Sequence, residues 1–482
     1  MLPGRVIVFD VGKTLAKLSL WDESGRRLAE RQRYNERIGA GGRRALDTEG
    51  IERWAIEVLR EFGTLGPISA IVPVAHGAAA AVIANGKLVQ PVRDYEEEVP
   101  VALRHAYDAR RDPFSLTGSP ALPAGLNLGV QLFQLEHERP GILGNSTTIV
   151  PWPQYWAWKM SGVLASEVTS LGTHTDLWRP IERGPSALAR SRGWWDLFAP
   201  LRSADEVLGE LTAEWASKTG LARDIQVYCG VHDSNAALHG VRGFERLCGQ
   251  QLTVVSTGTW FVAMRALEDA TQFDMGTVAE SRDCLVNVDV ASRPVPSARF
   301  MGGREIELIA DEDLFRPSLK GELAAEVVRD QIMVRPGWTS GVGPYPNAIG
   351  SWSGEPRTSE HRAAAMALYL ALMVDTCLTL IDARGAIVIE GRFAAQEIFV
   401  KALAALQEQN SIFIHSNAES GLSYGALRLV DSSLRRAEEL TRVSPLDLDL
   451  AEYKSRWQEE VGRAMRSAVC ARAAHRNSGV TT

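Results

Sequence analysis

Asp10, Gly12, Lys13 and Thr14 close an apolar run near the N-terminus, VIVFDVGKT (6–14), and a second run, LTVVSTGT (252–259), ends in Ser256, Thr257, Gly258 and Thr259. Each run is rich in β-branched residues, turns on glycine and threonine, and continues into another apolar stretch, LAKLSLWD or WFVAM. The pattern predicts two β-hairpins whose turns expose backbone N–H groups and hydroxyls. Glycine lets a bulky anion approach the backbone, and successive N–H groups cradle phosphate oxygens. Asp10, beside the first turn, suits a hydrated magnesium ion, which keeps several waters and takes few carboxylates. In the same turn Lys13 and Thr14 are placed to contact terminal phosphates. A third segment, YCGVHDSNAALHG (228–240), ends a predicted strand in His232, Asp233 and Ser234 and runs into a small-residue helix. A carboxylate there can take the proton of an attacking hydroxyl, while His232 and Ser234 beside it can hydrogen-bond further hydroxyls. A two-sided phosphate cradle, a carboxylate for a metal and an oriented base are the parts that phosphoryl transfer requires.

These residues need elements to hold them. The chain has 482 residues, more than one hydrophobic core usually organises, so two domains are expected. Strand-like and helix-like pieces alternate in both halves, which predicts α/β architecture with a mixed sheet in each and helices outside. A polar, glycine-punctuated piece, GVRGFERLCGQQ, suits a junction near residues 240–250. The expected division is 1–243 and 244–474, with 475–482 as a disordered tail. The formal charge of −7 argues against a nucleic-acid partner. Five scattered cysteines without a Cys-x-x-Cys pair fit reduced thiols in a cytoplasmic enzyme, and no signal peptide is visible at the N-terminus. The longest apolar stretch, 363–381, is interrupted by Asp375 and Thr376, so it reads as a buried core helix and no membrane partner is expected.

The three segments, in this order, resemble the FGGY carbohydrate kinases of the actin-like ATPase superfamily. DVGKT is similar to the first phosphate motif, GVHDSNAALHG to the segment carrying the catalytic base, and STGTW to the second phosphate motif in the style of rhamnulose and fuculose kinases. IVIEGRFAAQEIFVKALAAL looks like the adenosine motif, with Gly391 at its turn, and ESGLSYGALRL (419–429) looks like the final Gly-Ala helix. The resemblance implies two actin-like, ribonuclease H-like domains with an interdomain cleft, ATP on the second and a sugar on the first. It implies Asp233 as general base and Asp10 at Mg2+. Gly12, Lys13, Thr14, Gly258, Thr259 and Gly391 would lie at the nucleotide, and Gly77, Asp94, His232, Asp233 and Ser234 at a ketose or deoxyketose such as L-rhamnulose or L-fuculose, phosphorylated at C1. A homodimer is compatible with this reading, although nothing in the sequence sets the oligomeric state. The chain departs from the family pattern at Lys13, and at Glu390 and Arg392, which flank Gly391 in place of the usual glycines.

Plainer readings compete at several positions. Asp233 could be a helix N-cap, His76 a hydrogen-bonded core residue, Trp152, Trp156 and Trp158 simple packing, and Glu96 to Glu98 a solvated face. Arg392 could pair with Glu390 or stack on adenine. The rival of another class is a non-enzymatic or degenerate actin-like ATPase that senses sugar or nucleotide.

Overall fold

The computed structural model describes residues 1–478 apart from 41–42, 268, 310–320, 416–420 and 437–438. Two seven-stranded mixed sheets carry the chain. The first comprises β1 (Arg5–Val11), β2 (Leu15–Trp21), β3 (Arg27–Tyr34), β4 (Ile68–Ala75), β5 (Val207–Glu210), β6 (Gln226–Tyr228) and β7 (Val231–His232), in the order β5-β6-β4-β1-β2-β3 with β7 also on β4. The second comprises β8 (Leu252–Thr257), β9 (Phe261–Ala266), β10 (Cys284–Val288), β11 (Pro294–Phe300), β12 (Ala386–Gly391), β13 (Ser411–His415) and β14 (Leu440–Arg442), in the order β10-β11-β9-β8-β12-β13-β14. Both predicted hairpins form: β1 pairs antiparallel with β2, and β8 with β9. In each sheet the first hairpin strand also pairs in parallel with a later strand, β1 with β4 and β8 with β12. The duplicated sequence pattern is therefore a duplicated piece of topology.

The helices that matter for the site are α1 (Thr48–Gly63), α2 (Trp152–Ser161), α3 (Asp233–Val241), α4 (Gly302–Ile309), α5 (Ser359–Leu380), α6 (Glu397–Leu406), α7 (Gly421–Val430) and α8 (Ala451–Ser478). Their ends follow local chemistry. Asp47 caps α1 by accepting from Gly50 N–H, Thr358 caps α5 by accepting from His361 N–H, and Gly162 ends α2 in the left-handed region at φ 76°. Helix α5 is long and apolar enough by composition to cross a membrane, but it packs through the centre of the second core beside Phe261, Ile387 and Phe399. Trp152, Trp156 and Tyr155 on α2 pack with Phe9 in the first core, as plain aromatic packing predicts.

Two local expectations change. Glu97 is not simply a solvated face, because its carboxylate pairs with Arg43 at 3.2 Å and faces Arg93. Helix α8 continues through Ser478, beyond the point where a tail was expected, and 479–482 lie outside the described residues. Of the segment 419–429, Glu419 and Ser420 lie outside them too, while the rest forms α7.

Candidate active site

Strands β1, β4 and β7 run parallel and stop together. Asp10 stands beside Val74, Val231 beside the same Val74, and His232 beside Ala75. Their carboxyl ends thus bring Asp10, His76, Gly77, His232 and Asp233 to one edge, where open α/β sheets bind ligands. Asp233 opens α3 with no side-chain cap on the preceding His232, so its carboxylate lies in the first helical turn beside the positive end of the helix dipole. Its Oδ1 accepts from Ser234 N–H at 2.6 Å and lies 3.1 Å from His232 Nε2. Asn235 Nδ2 lies 3.2 Å from His232 Nδ1 and donates to it, so the Nε2 proton faces Asp233. Burial lowers the His232 pKa, with Asp233 pulling the other way. Burial first, and then the nearby Asp233 charge, raise Asp10 to about 7. Asp10 Oδ1 is buried with no partner among the described residues.

Behind this edge lies a support that the sequence reading missed. His232 N–H donates to Thr169 Oγ1 at 3.1 Å, and the Thr169 hydroxyl donates to Glu167 Oε2 at 2.5 Å. Glu167 also caps the short helix Val168–Leu171, and burial raises its carboxyl to about 7 against those hydrogen bonds. No local motif signals it, because its role depends on contacts more than sixty residues away.

The residues expected at the sugar gather around the same edge. A Cβ on Gly77 would stand 3.0 Å from Thr173 Cγ2 and 3.1 Å from His232 Nε2, so a side chain there would crowd the His232 ring. His76 is buried and hydrogen-bonded, as its plainer reading expects. Its Nδ1 bonds the Gly77 carbonyl at 2.6 Å, while Nε2 is buried with no partner among the described residues. Its ring packs against Tyr95 and Trp152, and burial lowers its pKa to about 4. Asp94 is fully buried; its Oδ1 accepts from Lys13 Nζ and from Glu96 N–H at 2.9 Å, and Oδ2 has no partner among the described residues. Arg93, its neighbour, turns away to Glu138 and Glu97.

Lys13 departs from expectation. Its ammonium pairs with Asp94, a residue expected at the sugar, and lies 4.5 Å from the centre of the Tyr95 ring. The buried carboxylate outcompetes solvent for it. Tyr95, His174 and Arg299 were not anticipated either. Burial, then Arg299 and His232, lower His174 to about 3, and its Nδ1 donates to the Leu126 carbonyl at 2.6 Å. Arg299 comes from β11 of the second sheet, lies 4.8 Å from the Trp260 ring centre and pairs with Asp283 at 3.3 Å. An arginine inside the buried strand VPSARF was the available signal.

The two turns differ in construction. Asn35 braces the first, its side chain donating to the Gly12 carbonyl and its N–H to the Thr14 carbonyl, both at 2.8 Å. In the second, Gly258 N–H closes the turn onto the Trp260 carbonyl at 3.0 Å, and a Cβ on Gly258 would meet open space on its outer face, with nothing nearer than 3.8 Å. Gly303, at the start of α4, packs so tightly that its Cβ would lie 3.0 Å from the Gly258 carbonyl carbon, and Arg304 N–H donates to the Thr259 carbonyl at 3.4 Å. The glycine pair 302–303 serves this packing, since a Cβ on Gly302 would in turn meet the Phe261 and Phe300 rings. Gly391 takes φ 93° and lies against the Thr257 backbone, so a side chain there is excluded twice over. Its neighbours diverge: Glu390 is buried with His415 at 3.1 Å and Arg436 at 2.9 Å, whereas Arg392 reaches Glu307 at 3.5 Å and lies over Phe393. The pairing of Arg392 with Glu390 therefore does not form.

Residues 249–438 match the C-terminal domain of carbohydrate kinase FGGY. A solved carbohydrate kinase from Novosphingobium aromaticivorans is 46% identical, aligned over 96% of this chain and 100% of that one, with a TM-score of 0.88. A xylulose kinase from Lactobacillus acidophilus (15% identity, 98% of each chain, TM-score 0.76) and a Plasmodium falciparum glycerol kinase with ADP (13%, 95% and 98%, TM-score 0.77) share the fold. An autoinducer-2 kinase from Enterobacter sp. (strain 638) is 28% identical over 151 residues, which span 30% of this chain and only 25% of that protein. With near-complete coverage at that first identity, and with the strand-end carboxylates and paired turns in place, the chain belongs to the FGGY family of carbohydrate kinases, ATP-dependent phosphotransferases built from two actin-like domains.

Proposed function

We propose that the protein phosphorylates a small open-chain ketose or deoxyketose, of the kind of L-rhamnulose or L-fuculose, at its primary C1 hydroxyl. The observation that carries this reading is the group of buried polar atoms without partners beside Asp233: Asp94 Oδ2 and His76 Nε2 among the described residues. Buried polar groups are costly unless hydrogen-bonded, and a polyhydroxylated substrate supplies both donors and acceptors. In the proposed reaction Asp233 accepts the proton of the C1 hydroxyl. The C1 oxygen forms a bond to the γ-phosphorus as the bond to the β,γ-bridging oxygen breaks, and ADP leaves. His232, by donating Nε2–H to Asp233, keeps that carboxylate turned toward the substrate. Ser234 and Gly77 line the same side.

ATP would lie on the second domain, 244–474, with Gly258, Thr259 and Gly391 beside it and Gly12 and Thr14 facing it from the first, 1–243. The unpartnered buried oxygen of Asp10, next to a second carboxylate, fits a hydrated Mg2+. Such an ion would neutralise charge on the β- and γ-phosphates. Domain closure would exclude water and favour transfer to the sugar over hydrolysis.

The test is ADP release against a panel of ketoses, aldoses, sugar acids and polyols, with Asp233→Asn beside wild type. The wild type should turn over at least one ketose, and the variant should lose about 10²–10⁴-fold in kcat, the range of general-base catalysis. Turnover of the variant within about tenfold of wild type removes Asp233 from the role of base.

A further inference from the structure

Lys13 has its Cα in the first phosphate turn and its charge in the other half of the site. The ammonium is bound to Asp94, a residue 81 positions later, and sits over the face of Tyr95. Asp94 itself is tied into the fold: its N–H donates to the Arg44 carbonyl at 3.2 Å, and its neighbour Arg93 makes an isolated bridge with Ala45. A fully buried carboxylate is unstable as an anion unless a counter-charge and hydrogen bonds replace water. Here Lys13 provides the charge and Glu96 N–H a hydrogen bond, and both fall on the same oxygen, Oδ1. The other oxygen, Oδ2, is buried with no partner among the described residues, and Asp94 lines a small cavity with Lys13, His76 and Trp152. Tyr95 holds the lysine in place through its ring face, a contact that a compact ammonium makes well.

We propose that Lys13 is a positioning residue for the sugar and not a phosphate ligand: it keeps Asp94 ionised and rotated so that Oδ2 receives a substrate hydroxyl. The inference rests on the reading of Asp94 as a sugar contact, given under the proposed function. It also links the two halves of the chemistry. The turn that faces the phosphates must be folded, with Asn35 bracing it, for the sugar acceptor to be armed. A substrate lacking the hydroxyl that meets Oδ2 leaves the second oxygen of a buried anion without a hydrogen bond, so Asp94 selects for that hydroxyl more strongly than a neutral side chain would.

The experiment uses the full-length protein and four variants, Lys13→Met, Lys13→Arg, Asp94→Asn and the double variant Lys13→Met/Asp94→Asn. Separate KM values are measured for MgATP and for the best sugar of the panel, with calorimetric titration of that sugar in the absence of nucleotide. Lys13→Met should raise the sugar KM and the sugar Kd by about 10- to 100-fold, the cost of losing a charge-assisted hydrogen bond, with the MgATP KM within about twofold. Lys13→Arg should restore the sugar Kd to within about tenfold of wild type, because the charge remains and only the geometry changes. The double variant should bind sugar no worse than the weaker single variant, since both act through one oxygen. A rise in the MgATP KM with an unchanged sugar Kd overturns the proposal, as do parallel rises in both or no change in either. If Lys13→Met melts far below wild type, Lys13→Arg decides alone. A wild type that phosphorylates nothing in the panel defeats the kinase-substrate reading, which is a different result from a wild type that works and a Lys13 variant that fails on ATP.

Discussion

Helices α3 and α7 cross at a contact where neither can tolerate a side chain. A Cβ on Gly425 would lie 2.6 Å from the Ala236 carbonyl carbon and 3.0 Å from its Cα, with the carbonyl oxygen closer still. Gly240 meets Gly421 in the same way, its Cβ 3.1 Å from the Gly421 carbonyl carbon. Van der Waals contact between carbons begins near ~3.5 Å, so Gly425→Ala must separate the helices by about 1 Å. The other side of α7 cannot yield easily, because Tyr424, Ala426 and Leu427 are packed with Val6, Val8, Val72 and Val74 of the first sheet. Helix α3 therefore moves, and its first residue is Asp233. A misplacement of about 1 Å at a reacting group can cost 10²-fold. Overpacking should also cost about 1–3 kcal/mol, offset by roughly 1 kcal/mol from the better helix propensity of alanine. The expected outcome is a fall of about 100-fold in kcat with only a modest loss of stability. Steady-state kinetics alongside urea unfolding separates the two. Gly39→Ala is the control, since nothing lies within 4 Å of a Cβ on Gly39 and its activity should match wild type. A folded Gly425→Ala enzyme with kcat within about threefold of wild type would refute the coupling between this crossing and the base.

Two pH-dependent predictions follow from buried groups. Glu167 carries a native pKa raised to about 7, so the folded protein holds a proton that the unfolded chain has released between about pH 4.5 and 7. Stability is therefore lost as pH rises through that window. Glu167→Gln should lack about 3 kcal/mol of the wild-type decline between pH 5 and 8, read from urea midpoints at each pH. A variant whose decline parallels wild type counts against the buried proton. His76 and His174 have pKa values lowered to about 4 and about 3, so the unfolded chain binds protons that the native protein rejects. Their contribution is complete above about pH 6.5 and is lost on acidification toward pH 4. In NMR titrations of the folded protein neither ring should change charge between pH 8 and 5.5; a midpoint near 6.5 for either contradicts its burial.

Much of this architecture was legible because it depends on local pattern. Alternating apolar runs with a Gly-Thr turn specify a hairpin whatever lies elsewhere, and both hairpins form at 6–21 and 252–266. Helix α5 was readable as core from the interruption at Asp375 and Thr376, since a charge within the apolar run rules out lipid more readily than it rules out a protein interior with a partner. That partner is Lys454 of α8, at 2.8 Å. Asp233 was readable from its place between a strand ending in glycine and a small-residue helix, where α/β folds put ligands.

What was not legible is where long side chains point. A motif locates a Cα in a turn, but the direction of a lysine or arginine is set by whichever buried charge most needs it, and that charge is usually distant in sequence. Lys13 answers Asp94 across 81 positions, Arg436 answers Glu390 across 46, and Arg392 is left to find Glu307 across 85. For Lys13 and Arg436 the buried acid is the deciding partner, whereas Arg392 and Glu307 meet on the exposed surface. A buried carboxylate without a cation costs several kcal/mol, whereas a lysine or arginine at a cleft rim can remain solvated at little cost. Divergence at such positions is therefore coupled. Glu390 beside the Gly391 turn is tolerable because His415 and Arg436 are present, and Lys13 in the first turn is tolerable because Asp94 draws its charge away. It follows that replacing Glu390 by glycine alone, to restore the usual motif, should weaken the fold instead of improving nucleotide binding, because Arg436 would keep its aromatic neighbours Phe244 and Tyr424 but lose the carboxylate that offsets its burial.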